Sequence, residues 1–511
     1  MPSMDNESKP VRRSCGATAG LVAAAAAIGS AELVSGLWRG TVSPIVSVGS
    51  WVIDHTPPSV KTFAVRRFGT NDKRALLIGT SVLLTLFAVV VGMLAIRRRR
   101  LGLAGIAMFG VVGAGAALSR PNAHIHDVLP SVVGAAVAML ALSVILRVRP
   151  APDAATSPDR RRFLLEAAGM GAVALTVGGV GRMLRRRFEV SSARRNVALP
   201  KPSSAALPLP AGAELGITGV APFITANTDF YRIDTTLVTP QVDPTTWRLR
   251  VHGMVDRELT LSYADLLVRP LTERDITMIC VSNEIGGNYT GTARWLGVPL
   301  ASILREAGVR TRATQLVSRS VDGWTAGSPV ADVMDGRDAL IAIGMNGEPL
   351  PIAHGFPARL VVPGLYGFVS ATKWVTDLEL TTFEAYDPYW AKRGWAKRAP
   401  IKTMARIDTP RGLTHVAAGS TIIGGVAWAI HRGVTQVEVR VDDGPWQIAR
   451  LGQGPSADTW RQWAIAWDAT TGNHTITSRA TDGTGERQTE QRAQPIPDGA
   501  SGWHSIVVIV D

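Results

Sequence analysis

The sequence predicts a chain in three parts: an α-helical membrane region, an α+β domain and an all-β sandwich. Three observations predict it. Five apolar runs, at 16–37, 75–96, 101–118, 128–146 and 163–181, are each long enough to cross a hydrocarbon core of about 30 Å. From about 215 to 383, short strand-like segments (247–252, 315–320, 359–362, 378–380) mix with helical pieces (262–267, 300–307), an α+β order. Beyond 398, Val437, Val439 and Val441 alternate with Gln436, Glu438 and Arg440 before an Asp443-Gly444 turn, and Trp463, Ile465 and Trp467 repeat the period of two.

The membrane region spans 1–188. The run 42–53 is too short to cross and contains Pro44, so it reads as an interfacial or re-entrant piece broken by the proline. The net charge of +13 raises nucleic acid as a partner, but no basic stripe interleaved with aromatics appears. Instead the arginines flank apolar runs, at Arg97, Arg98, Arg99 and Arg100 and again at Arg160, Arg161 and Arg162, as in a multi-pass membrane protein. Placing the first cluster in the cytoplasm puts Lys9, Arg12, Arg13, Arg147 and Arg149 inside and everything after the fifth span outside. The basic loop 61–74 and Arg185, Arg186 and Arg187 then fall outside as well, against the rule. Arg160-Arg161-Arg162-Phe163-Leu164 reads either as an internal twin-arginine export motif or as an ordinary positive flank. His55, His124 and His126 lie in loops, as solvated residues or as ligands of a haem.

Residues 189–214 carry Pro200, Pro202, Pro208 and Pro210 and read as a semi-rigid tether. The α+β domain follows at 215–397 and the sandwich at 398–511. Asp482-Gly483 marks a further hairpin turn, and several short strands in so few residues suggest an immunoglobulin-like sandwich with its tryptophans in the core.

Cys280 is one of two cysteines, and its companion Cys15 lies near the other end of the chain, which argues against a disulfide. It ends the apolar run 276–281, just before Gly286, Gly287 and Gly291. Such a thiol is either packed core or a ligand that glycines leave accessible. The pattern Cys280, Asn283, Gly287, Trp295, Gly297, Val298, Leu300 resembles the sulfite oxidase family of molybdopterin enzymes. So do Asn227 with Phe230-Tyr231-Arg232, Asp322-Gly323-Trp324, the runs 345–351 and 354–359, and Tyr366-Gly367 with Lys373-Trp374.

The resemblance implies a sulfite-oxidase-like α+β domain in which Cys280 ligates molybdenum held by one pterin. Asn227, Phe230, Tyr231, Asn283, His354, Arg359, Tyr366, Gly367 and Lys373 would then hold the cofactor. A soft thiolate suits such a metal, and His354, Arg359 and Lys373 suit a phosphate and a polar heterocycle. It also implies substrate-facing roles for Arg232, Trp324 and Arg432, the last from a C-terminal domain that dimerises the family. Sulfite-oxidising members place an Arg-Asn-His group in the entry segment, where this chain reads Thr228-Asp229-Phe230-Tyr231-Arg232-Ile233, and a tyrosine where it has Trp324. Asn227 with Phe230 and Tyr231 is similar to bacterial sulfoxide reductases, so the substrate stays open between a small oxyanion and a sulfoxide.

The expected partners are membrane lipid and an electron-transfer partner, a haem protein or a quinone. The rival readings are a membrane sensor or transporter with an exported binding domain, for which Glu32 in the first span would mark a pathway, and a structural or adhesion protein.

Overall fold

In the computed structural model, residues 8–57, 60, 72–120, 123–148 and 158–511 are described. The chain separates into two compact units, Met1–Glu189 with Thr235–Gln241, and Val190–Asp234 with Val242–Asp511.

The first unit is helical. Its main helices are Ser8–Ser35, Asp72–Arg97, Arg99–Leu118, Leu129–Ile145 and Pro158–Arg186, and five helical segments, Ser14–Ser35, Ala75–Arg97, Arg99–Leu118, Ile125–Ile145 and Arg161–Arg195, are long and apolar enough to cross a membrane. The cluster at 97–100 is a reversal at one extended residue, Arg98, after which Gly102 packs on Ala95 and Gly105 on Val91. The short run departs from expectation. Pro44 does not break it but begins helix Pro44–His55, since a missing N–H costs nothing in the first turn. Glu32 is buried and pairs with the half-buried Arg185 of another helix at 2.7 Å, a contact that offsets the cost of burying the carboxylate. Two of the three histidines expected in loops are helical, because His55 closes helix Pro44–His55 and His126 lies in the short turn Ile125–Val128; His55 stacks on Trp51, and His124 stacks on His126 beside Asp127. Most of the loop 61–74, and Arg149, lie outside the described residues.

The second unit opens with a correction. Residues 190–214 are no tether. Val190 is buried, the short helix Ser191–Arg195 sends Arg194 to Glu348 and to the carbonyls of Pro349 and Leu350, and Ser203 and Ser204 donate to the carbonyl of Leu271. Proline-rich composition predicts extended backbone but not whether that backbone finds partners.

Two sheets follow. In the first, β1 (Arg248–Gly253) lies between β2 (Leu259–Ser262) and β10 (Val375–Thr381), with β5 (Gln315–Ser320) and β6 (Thr325–Pro329) beyond; only β1 and β10 run parallel. The second is antiparallel: β3 (Thr272–Ile279), β4 (Thr290–Pro299), β7 (Leu340–Met345) and β8 (Glu348–Pro349), with β9 (Arg359–Val361) also on β7. The sequence reading missed β4, β6 and β7. Their residues are buried on both faces, so no alternation betrays them.

The C-terminal part also forms two sheets. One orders β11 (Met404–Thr409), β13 (Gly419–Trp428), β17 (Arg461–Ala469) and β16 (Arg450–Leu451). The other orders β12 (His415–Val416), β19 (His504–Val510), β18 (Gly472–Asp482), β14 (Val434–Val441) and β15 (Gln447–Ile448). Val437, Val439 and Trp463 are buried between them, as the alternation predicts. Residues 215–397 and 398–511 are not separate bodies. Trp428, Ile430 and Trp460 share one core with Phe223, Leu365 and Tyr366, and Trp460 Nε1 donates to the carbonyl of Phe223 at 2.9 Å.

Within the helical unit, Gly20 and Gly92 let two helices touch backbone to backbone: a Cβ on Gly20 would lie 2.0 Å from the carbonyl oxygen of Ala88. Gly20→Val should therefore destabilise the bundle by about 1–3 kcal/mol through overpacking, read as a lower Tm in detergent. An unchanged Tm contradicts the close approach.

Candidate active site

Cys280 follows the last residue of β3 and roots the loop that returns into β4. The loop is bonded at both ends: Cys280 N donates to the carbonyl of Tyr289 at 2.9 Å, Asn283 N donates to the carbonyl of Cys280 at 3.0 Å, and Tyr289 N donates to Asn283 Oδ1 at 2.8 Å. Gly287 is required, because a Cβ there would stand 2.6 Å from Asn283 Oδ1. The thiol is 9% exposed. Burial pushes it up, against hydrogen bonds from Ser282 and the charge of Lys373.

Two tyrosines share the field of that sulfur. Burial, and then Cys280, push the Tyr231 phenol up; burial also pushes Tyr366 up to about 12, with Cys280 adding to it. Tyr231 stacks on Phe230 and faces Tyr289. A Cβ on Gly367 would lie 3.8 Å from the carbonyl oxygen of Ile279 and 3.9 Å from Tyr231 Oη, so residues 366 and 367 pack against the root of the loop.

A cationic wall completes the site. His354 Nε2 lies 3.2 Å from the carbonyl oxygen of Asn227 and must donate to it, which leaves Nδ1 unprotonated. Burial, with Lys373 and Arg359 nearby, pulls this ring down to about 3, so it is neutral at neutral pH. Arg359 is buried over the Trp295 ring and donates to the carbonyls of His354 and Ala371. Among the described residues no carboxylate pairs with it, and burial brings it down to about 10. Lys373 is brought down to about 8 by burial, against the pull of Asp234, whose Oδ2 is 3.1 Å from its Nζ. The same carboxylate oxygen accepts from Arg232 Nε at 2.9 Å. Asn227 is pinned by Glu348 and by Asn346.

The turn carrying Trp324, between β5 and β6, joins this wall through Val321 N, which donates to the carbonyl of Trp374. Arg432 stands apart from the expected substrate group. Its guanidinium goes to Asp482 at 2.8 Å, to the carbonyl of Ile401 and to Thr403, and only its field reaches Tyr366. Sequence reasoning missed Asp234, Tyr289 and Ser282. Asp234 offered a faint signal, an acid two residues after Arg232; the other two act through backbone groups or ring position, which residue type does not announce.

Three buried polar atoms here have no partner among the described residues: Asn283 Nδ2, His354 Nδ1 and Arg359 Nε. Buried polar groups are rarely left so, and each calls for an explanation such as a bound water, ion or ligand. No three His, Cys, Asp or Glu side chains gather as a metal site among the described residues. A metal here would take Cys280 as its protein ligand and arrive with other donors attached. A thiol, an unpaired buried guanidinium and open heterocycle-binding atoms fit a metal carried by a phosphorylated, polar ring system.

A family model for the oxidoreductase molybdopterin binding domain matches residues 236–390. Mitochondrial sulfite oxidase of Rattus norvegicus is 32% identical over 290 residues, covering 48% of this chain and 53% of that protein; the human enzyme is 31% identical over the same span. The uncharacterized oxidoreductase YuiH of Bacillus subtilis is 34% identical over 183 residues, covering 35% of this chain and 87% of YuiH. The chain thus spans about half the length of its mammalian relatives. Among solved structures, the sulfane dehydrogenase SoxCD from Paracoccus pantotrophus aligns with a TM-score of 0.50 at 23% identity, covering 57% of this chain and 84% of that one, a likeness of fold.

The depressed His354 gives a signed pH effect. The unfolded chain binds a proton at this residue near pH 6.5, the folded chain only near 3, so its contribution to stability is present above about pH 6.5 and is lost as pH falls toward 3. His354→Gln should flatten the decline of the unfolding midpoint across that window; an equally steep decline contradicts the burial of a neutral ring.

Proposed function

The chain belongs to the sulfite oxidase family of molybdopterin-dependent oxidoreductases, and from that premise we propose a membrane-anchored enzyme that transfers an oxygen atom to or from a small sulfur compound, with Cys280 as the protein ligand of its molybdenum. The observation that carries the proposal is the buried Arg359 guanidinium, which has no carboxylate partner among the described residues and lies beside His354 with its open Nδ1. An isolated buried charge is costly, so an anion is the natural complement.

When bound, the molybdenum cofactor supplies two-electron oxygen-atom transfer. The chain's own residues do the rest. Arg359 and Lys373 neutralise the cofactor's phosphate, and neutral His354 and Asn283 meet its heterocycle. Phe230, Trp295 and Tyr231 line the space and exclude water. Lys373, a buried cation whose field reaches Cys280, suits a small anion such as sulfite beside that sulfur. Trp324, which lacks a hydroxyl, favours a second substrate, a neutral sulfoxide. Arg432 completes the pocket only by its field, as its donors are already engaged.

Five spans and the arginines at 97–100 support a multi-pass chain with its catalytic unit on the extracytoplasmic side. Electrons would pass to or from a haem protein or a quinone. The C-terminal strand orders, β11-β13-β17-β16 and β12-β19-β18-β14-β15, support an immunoglobulin-like sandwich; the homodimer rests on the family resemblance alone.

Purified from a molybdate-replete host, the protein should carry about one molybdenum per chain and reduce a dye with sulfite or oxidise one with methionine sulfoxide. Cys280→Ser should keep its melting profile and lose at least about 10³-fold in turnover, as expected when a metal's only protein ligand goes. Lys373→Gln should raise KM for sulfite more than for the sulfoxide. Unaltered turnover in Cys280→Ser rules out the ligand role.

A further inference from the structure

The loop that carries Cys280 is held from outside by two residues of the C-terminal part. Arg406, on β11, is buried and forms a paired fork with Asp408, at 2.6 Å and 3.3 Å, while its Nη1 donates to the carbonyl of Gly287 at 2.9 Å. Asp408 also accepts from Ala221 N at 3.0 Å, so the guanidinium cannot swing without breaking the fork. His504, the first residue of β19, accepts from Ile407 N at its Nδ1 at 2.9 Å. That bond fixes the tautomer, leaving the proton on Nε2, and turns this edge of the ring onto Gly286. A Cβ on Gly286 would lie 2.2 Å from Nε2, and the residue has φ +75°, so ring and turn fit only with glycine there. A third contact joins Gly502 to Ile285: a Cβ on Gly502 would lie 3.0 Å from Ile285 Cδ1.

These contacts land on 285, 286 and 287, inside the loop whose two ends are bonded to Cys280. Gly287 N donates to the carbonyl of Glu284, Asn283 bridges to Tyr289, and Tyr289 closes on Cys280. A shift of the turn therefore moves Asn283 and the backbone on both sides of the thiol. We propose that Arg406 and His504 are positioning residues that seat the 284–287 turn and thereby hold the Cys280 sulfur in the orientation a metal needs. The C-terminal sheets thus complete the site by bracing it, where the substrate arginine expected from them is engaged elsewhere. Burial, and then the neighbouring Arg406, pull His504 down to about 4, so the ring stays neutral and presents no second cation to the guanidinium beside it.

The proposal rests on the reading of Cys280 as a metal ligand, and its test is chosen to fail separately. In full-length Cys15→Ser protein, Cys280 is the one remaining thiol, and its alkylation by iodoacetamide can be followed in chains from a molybdate-free host. Arg406→Gln should accelerate alkylation at least about tenfold, Arg406→Lys should restore part of the protection, and the exposed control Arg450→Gln should match the parent. Gly286→Ala, which removes no charge, should accelerate it too and decides the matter if Arg406→Gln does not fold. The same variants made with molybdate should lose molybdenum content in the same order. Alkylation within twofold of the parent in a folded Arg406→Gln or Gly286→Ala protein overturns the bracing role, whatever the molybdenum content. A parent without molybdenum but with the predicted alkylation order upholds the brace and removes only its metal.

Discussion

A guanidinium buried among Trp295, His354 and Ala371, with no acid to meet it among the described residues, is the constraint around which the second unit is arranged. Arg359 lies on β9, over the Trp295 ring, and its two terminal nitrogens are bonded to carbonyls rather than to a carboxylate. Holding a guanidinium there costs stability. The fold tolerates it by keeping His354 neutral and by giving the neighbouring cation, Lys373, to Asp234. The cost becomes intelligible if an anion arrives with the cofactor, because the same unpaired charge is then what binds it.

The second constraint is orientation. A single side-chain ligand holds a metal well only if its sulfur points one way. On the proposed ligand role of Cys280, its loop suits this need, being tied at both ends and bonded at its tip by Arg406. That is also why the C-terminal strands cannot be treated as an appendage. Trp428 and Trp460 enter the core of the α+β part, and Asp458 offers its carbonyl to Thr277 N on β3 itself. The strand that delivers Cys280 is thus paired with β4 and anchored by the sheets beyond it.

The sequence showed local features well and contacts poorly. The five spans were legible because membrane length and apolarity leave few alternatives. Helix Leu300–Ala307 and strand Gln315–Ser320 were legible from periodicity to the residue. Strands β4 and β7 were not, since both their faces are buried and no period survives. The proline-rich segment misled for a different reason: whether an extended stretch hangs free or lies on a surface depends on Arg194 finding Glu348, far along the chain. At the site, the thiol and the cations were legible from residue type and motif. Asp234, Arg406 and His504 were not, because nothing in a sequence marks which acid, arginine or histidine a distant strand will bring into place.

The central claim is that the Cys280 sulfur reaches the metal directly. X-ray absorption at the molybdenum edge, recorded on the parent protein and on Cys280→Ser reconstituted to equal metal content, reads that bond alone. The account predicts one sulfur scatterer fewer in the serine variant, replaced by a lighter atom, with the remaining shell unchanged. Identical sulfur counts in the two proteins would contradict it.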